Sequence, residues 1–488
     1  MASRLSANGA IALALVLAPV LGVATPRVAQ AAAPDARAER ADAILRRYIA
    51  DDRIPGLQVA VVKDGKVVLE RAYGVANLQT PVPVNDQTIF SINSITKAFT
   101  GVAAMHEVEA GRLDLSKPVS AYLDDLPLAW RGVTIRQLLS HTSGLPNVID
   151  NGSGKMKGAT EAEAWTWAGA QPMAFTPGER FSYNQTNYGL IQQVINTLEK
   201  RPLNATVADP QFAVAGMTRT VFGDSRDVIP GKAAGYGYRY PDPAGPGVLK
   251  PVYEEFEPLH RAASGLNSTA DDMARWMIAI LDGRLLTPVT LQAMWTPAPY
   301  NNGQLGQWGM GWEVLQRPAH RAVGMTGGSR AAVFLYPDDG VGVVILTNLS
   351  GAAPEDLIDE IAALYIPGMK LDGVAALRAA LESEGFDHAP TVLARLQREN
   401  PAFKSAELEL NDWGYRLLTT GKPKQALAVL KIGAELYPAS GNAFDSLAEA
   451  YQVNGDRVRA TDNYRRSLAL DPKNTNAVQR LKNLEAAS

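Results

Sequence analysis

The chain contains no cysteine, which excludes disulfides, thiolate nucleophiles, thiolate metal sites and a lipid-bearing N-terminal cysteine. Histidine is nearly as scarce. The five present, His106, His141, His260, His320 and His388, fall at no metal-ligand spacing, so neither a metal nor an organic cofactor is expected. His106-Glu107 lacks the second histidine of H-E-x-x-H, and no G-x-S-x-G nucleophile elbow occurs. Charge is in little excess as well. A formal net charge of −3 exerts no long-range pull on nucleic acid or anionic lipid, so the expected partner is a small molecule or a protein, with a small molecule or short peptide as substrate. Long apolar runs are missing except near the N-terminus. There Arg4 precedes an apolar stretch over 10–24, broken by Pro19 and Gly22, and Ala29-Gln30-Ala31 follows as a cleavage-type A-x-A site. This pattern reads as a signal peptide over 1–31, with export to the periplasm or beyond and no stable membrane span after cleavage.

What is present is ordinary folded protein, 46% apolar and 20% charged, in a chain of 488 residues that exceeds what one core usually organises. Segments 57–62 and 67–73 flank Asp64-Gly65, and segments 331–336 and 341–347 flank Asp339-Gly340. Both read as hairpins, because these turn dipeptides tolerate positive φ. Helical stretches lie between them, including 96–109 and 270–281. Strands at both ends with helices between predict an α/β (α+β) domain at 38–366, in which an antiparallel sheet flanked by helices joins the two ends of the domain.

Beyond Pro367 the strand signals stop. Gly421, Ala426 and Pro438 recur as Gly455, Ala460 and Pro472, each displaced by 34 residues (455 − 421, 460 − 426, 472 − 438). That is the tetratricopeptide period, with small residues where paired helices approach and proline where the second helix ends. The region 369–488 is therefore expected to be all-α and tetratricopeptide-like. It reads as a degenerate helical pair at 373–399, repeats at 407–440 and 441–474, and a capping helix from Asn476.

The residues with chemical potential begin at Ser94-Ile95-Thr96-Lys97, an S-x-x-K at the start of an apolar helical stretch. Three residues along a helix advance about 300° and rise about 4.5 Å, so the amine can reach the hydroxyl one turn below. A serine hydroxyl becomes a nucleophile when something accepts its proton, and a neighbouring lysine can do so if burial lowers its pKa, or can hold another base. A solvated lysine beside a first-turn serine is the plain alternative.

Downstream come LLSHTSGL at 138–145, TPGERFSYNQTNYG at 176–189, ASGLNSTAD at 263–271 and GMTGG at 324–328. In order and approximate spacing this set resembles the serine β-lactamase and penicillin-binding protein family, especially its class C, esterase and D-aminopeptidase branch. The similarity spans about 40–350. The resemblance implies a β-lactamase/transpeptidase-like fold with Ser94 as acyl-accepting nucleophile, Lys97 as its partner and Tyr183 as a phenolic base. It implies an oxyanion hole from the backbone N–H groups of Ser94 and Gly328, and substrate contacts from Gln185, Thr326 and Gly327. His141 is expected to support its loop rather than the chemistry. Two departures concern substrate. Gln185 stands where the second motif usually has Asn, and Met325 stands where the third usually has Lys or His. Arg330 is a candidate replacement cation. The implied activity is hydrolysis of an ester, then a D-amino-acid peptide or amide, then a β-lactam, in falling order because a carboxylate-bearing substrate loses a charge-assisted contact. The alternative is a catalytically weak scaffold that binds protein or peptide through its helical tail.

Overall fold

The structure, a computed structural model, describes residues 35–150, 154–239, 247–315, 319–401 and 403–486; the expected signal peptide lies outside them. Seven strands form the main sheet: β1 (Gly56–Lys63), β2 (Lys66–Asn77), β3 (Val82–Pro83), β4 (Glu313–Leu315), β5 (Ala322–Gly327), β6 (Ala331–Tyr336) and β7 (Val341–Thr347). Their spatial order is β3-β2-β1-β7-β6-β5-β4, and the pairs are antiparallel. Leu57 of β1 lies opposite Thr347 of β7, so the first and last strands of this sheet in chain order close on each other and join the two hairpins. Asp64 and Gly65 make the first bend with φ of 49° and 72°.

β1, β6 and β7 are buried on both faces, which is why they read as continuous apolar runs rather than alternating ones. Ala60, Val62, Met325, Val333 and Val344 contribute to a large core shared with the Thr96–Glu109 and Ala270–Leu281 helices. There Trp276 stacks on Phe99 with ring centroids 3.8 Å apart. Val59, Val61, Phe334, Val343 and Ile345 face a second core, completed by the Ala36–Asp52 and Glu355–Ala362 helices.

The tail is helical from Gly373 onward. Helices Glu407–Thr419, Gly441–Val453 and Thr475–Ala486 begin 34 residues apart (441 − 407, 475 − 441), as do Pro423–Leu436 and Arg457–Leu470 (457 − 423). Gly421 and Gly455 turn the chain between partners with φ of 77° and 81°. The tail docks through charge. Asp356 accepts from Arg378 at 3.0 Å and Arg416 at 2.5 Å, and Arg47 reaches Glu382 at 2.9 Å. These contacts fall on the Ala36–Asp52 and Glu355–Ala362 layer, across the sheet from the Thr96–Glu109 helix. No helix among the described residues is long and apolar enough to cross a membrane.

Candidate active site

Ser94 lies in the 3-10 turn Asn93–Ile95 that feeds the Thr96–Glu109 helix. Thr96 pins that turn: its Oγ1 donates to the Asn93 carbonyl at 2.6 Å and accepts the Leu266 N–H at 3.1 Å. The helix is buried almost all round, as its unbroken run of apolar and small residues requires. Lys97 is the one cation carried inside, at 0% exposure. Its Nζ stands 3.3 Å from Ser94 Oγ and donates to the Ala263 carbonyl at 2.9 Å. Burial holds its pKa well below the usual lysine range, since desolvation penalises only the charged form. The Pro258–Ser264 helix that supplies Ala263 also presents the Ala262 carbonyl to Thr100 Oγ1 at 2.7 Å, so the end of this helix, where ASGLNSTAD begins, brings backbone acceptors to Lys97 and Thr100.

Tyr183 arrives from a loop just ahead of the Gln185–Glu199 helix. That loop is knitted to the LLSHTSGL segment. Ser182 N–H donates to the His141 carbonyl at 2.9 Å, while Asn184 N–H and Asn187 Nδ2 both reach His141 Nδ1 at 3.1 Å. His141 is wholly buried, has φ of 58° and packs among the rings of Tyr183 and Tyr188, which are tilted to it, and of Trp308, which meets it edge-on. With its Nδ1 accepting two N–H groups and its pKa pushed well down by burial and then by the Lys97 charge, it is a neutral strut. The Tyr183 ring centroid is 4.7 Å from Lys97 Nζ. Burial pushes the phenol pKa up, against hydrogen bonds with Ser94 and Gln185 that pull it down. Hydroxyl, amine, phenol and the Gln185 amide therefore meet, although Lys97 and Tyr183 are 86 positions apart in the chain (183 − 97).

β5 completes the arrangement. A Cβ at Gly327 would strike the Ile92 carbonyl, and one at Gly328, where φ is 57°, would sit 2.6 Å from Asn93 Nδ2. Only glycines let this strand end pass so near Ser94. Thr326 is half-buried on the same strand, opposite Ala332. Met325 is 1% exposed and packs into the core, so an apolar thioether fills the place where the motif expects a cation. Arg330 is not a replacement. At 4% exposure its guanidinium lies 3.4 Å from Glu254, and its charge is already paired. Asn93, Glu254 and Trp308 border the site without having been singled out. Asn93 carried a signal, an amide residue directly before Ser94 at a bend, whereas Glu254 and Trp308 stand in no motif. No group of three or more His, Asp or Glu side chains suited to hold a metal occurs among the described residues.

A buried amine one helical turn from a serine, on a helix set against an antiparallel sheet, defines the class of serine acyl hydrolases. The chain belongs to the Beta-lactamase family, whose profile matches residues 41–366. It is 24% identical over 357 residues to Protein flp of Staphylococcus aureus strain N315, covering 70% of this chain and 68% of that protein. Among solved structures, the penicillin binding protein from Bacillus halodurans superposes with a TM-score of 0.57 at 26% identity, over 66% of this chain and 99% of the other. EstCE1, described as a hydrolase with promiscuous acyltransferase activity, superposes at 0.58 with 20% identity, over 67% of this chain and 98% of that one.

Proposed function

We propose that this protein is exported and hydrolyses esters, and secondarily D-amino-acid amides, through an acyl-enzyme on Ser94. The observation that carries the reading is the 3.3 Å contact between Ser94 Oγ and the buried, pKa-depressed amine of Lys97. In its neutral form Lys97 accepts the Ser94 proton as Oγ bonds to the ester carbonyl carbon, while its own N–H remains on the Ala263 carbonyl. Collapse of the tetrahedral intermediate breaks the bond to the alkoxy oxygen, which takes a proton relayed from Lys97 through Tyr183. Water then attacks the acyl carbon with the same groups in reverse. The opposite directions of the two shifts, amine down and phenol up, favour Lys97 as the proton acceptor and Tyr183 as a relay that stays protonated.

The backbone N–H groups of Ser94 and Gly328 are assigned to the oxyanion. Esters come first because they need no carboxylate partner, and Met325 offers none. The tail is assigned a docking role rather than a part in the cleft, because its ion pairs with Asp356 and Arg47 lie on the far layer. The test is p-nitrophenyl ester hydrolysis and fluorophosphonate labelling. Ser94→Ala is expected to abolish labelling and cut turnover by about 10³-fold or more; equal labelling in both proteins overturns the reading.

A further inference from the structure

The two N–H groups assigned to the oxyanion hole come from separate elements, a helix-initiating turn and the end of β5, so their spacing depends on tertiary contacts. One side-chain chain spans them. Asn93 precedes Ser94, and the peptide joining the two carries the Ser94 N–H, so the conformation of Asn93 aims that donor. Its φ is 44°, in the left-handed region that asparagine tolerates better than other side-chain-bearing residues. Both ends of its amide are tied: Ser91 Oγ donates to Oδ1 at 2.7 Å, and Nδ2 donates to Glu254 Oε1 at 2.6 Å.

The other Glu254 oxygen lies 3.4 Å from the Arg330 guanidinium. Arg330 closes the turn after Gly328. Its N–H donates to the Gly327 carbonyl at 3.0 Å, and its carbonyl accepts the Thr347 N–H at 2.8 Å. Gly328 and Ser329 within that turn have φ of 57° and 51°, a conformation held by its surroundings rather than by local preference. Lys232, whose Nζ is buried without a hydrogen-bond partner, senses the charge of Glu254 together with those of Asp224 and Asp227. A carboxylate held by the Arg330 guanidinium on one side and by the Asn93 amide on the other is a strut between the two donor-bearing segments.

We propose that Glu254 is a positioning residue that keeps the two oxyanion-hole donors in register, by bridging Asn93 beside Ser94 to Arg330 beside Gly328. This rests on the acyl-enzyme reading above. Donor geometry matters most where charge develops, so loosening the strut lowers kcat and leaves substrate binding nearly untouched.

The test uses the full-length protein, p-nitrophenyl butyrate as substrate and a fluorophosphonate as probe, at a temperature well below the melting point of every variant. Asn93→Gly keeps the backbone conformation accessible and removes one end of the strut; it is expected to lose about tenfold in kcat and in phosphonylation rate, with KM within about twofold. Glu254→Ala is expected to lose about 10- to 100-fold, and Glu254→Gln, which retains an acceptor for Asn93, to recover most of that loss. The double variant Asn93→Gly/Glu254→Ala should be no slower than Glu254→Ala alone, since both cut one connection. Should Glu254→Ala fail to fold because it strands Arg330, Asn93→Gly strands no charge and decides the matter. Unchanged kcat in Asn93→Gly, a loss confined to KM, or multiplying losses in the double variant overturns the bridge while Ser94→Ala remains inactive and unlabelled. If Ser94→Ala is itself active and labelled, the acyl-enzyme reading and the bridge fall together.

Discussion

Lys97 and Arg378 are buried cations on opposite faces of one sheet, and they are handled in opposite ways. Lys97 is enclosed with no carboxylate paired to it among the described residues, and burial drives its pKa down. Across the sheet Arg378, at 6% exposure, is enclosed with Asp356, which also takes Arg416. A lysine left alone in a dry site sheds its proton, whereas a guanidinium cannot and must be given an anion. The first arrangement suits a group that has to exchange a proton with Ser94; the second suits a joint that has to hold the tail. The proposed chemistry falls where charge is discouraged, and attachment where it is matched.

Replacing Lys97 by Met breaks the first half of this contrast. Ester turnover is expected to fall by about 10³-fold or more while the melting temperature rises, because an amine uncomfortable in its site is removed. The pH dependence has a definite sign. The folded pKa lies below the unfolded value of about 10.5, so between the two the unfolded chain holds more protons, and wild-type stability falls as pH falls. The advantage of Lys97→Met should widen toward acid pH, and wild-type kcat should be lost as pH drops through the depressed pKa. A variant less stable than wild type across the whole range contradicts the account of Lys97 as an uncompensated buried amine.

Asp356→Ala attacks the other half. Two guanidinium groups lose their anion, and chemical denaturation should report a loss of about 3 kcal/mol. Ester kcat should stay within about twofold of wild type, since the cluster and Ser94 are separated by the sheet. A large fall in kcat would instead tie the tail to catalysis.

The smallest effect sharpens the same joint. Glu355, next to Asp356, has its carboxyl pushed up to about 7 by burial and then by the Asp356 charge, against its own backbone N–H and the opposing charges of Arg416 and Arg378. Because the folded pKa exceeds the unfolded one, the folded state holds the extra proton between about 4.5 and 7, and stability declines as pH rises through that window. Glu355→Gln should therefore gain on the order of 1–2 kcal/mol at pH 8 and almost nothing at pH 4.5. Equal effects at both values would show that titration of Glu355 is not involved.

Much of the fold was legible because it is written locally. The hairpins closed by Asp64-Gly65 and by Pro337–Asp339 with Gly340 fall where turn dipeptides interrupt apolar runs, and the Thr96–Glu109 and Ala270–Leu281 helices match their sequence readings. The tail's period was countable, and helix starts recur at that same interval. The site was legible in part. Ser94 and Lys97 are a helical turn apart, which spacing alone conveys, while Tyr183 and Gln185 were reachable only through resemblance to a family. Arg330 shows where such reading ends: five residues beyond Met325, it was a plausible spare cation, yet its guanidinium is taken by Glu254, a residue that no motif marks.

By itself the sequence determined the local pieces: which segments turn, which face of a helix carries the amine, and which repeat spaces the tail. These depend on neighbours a few positions away, where backbone geometry leaves few choices. Only tertiary structure decided the depressed pKa of Lys97, the partner of Arg330, the contacts that link Asn93 to Glu254, and the face on which the tail docks. Desolvation and ion pairing depend on what chains distant in sequence bring to within a few ångströms, and no short window of residues contains that information.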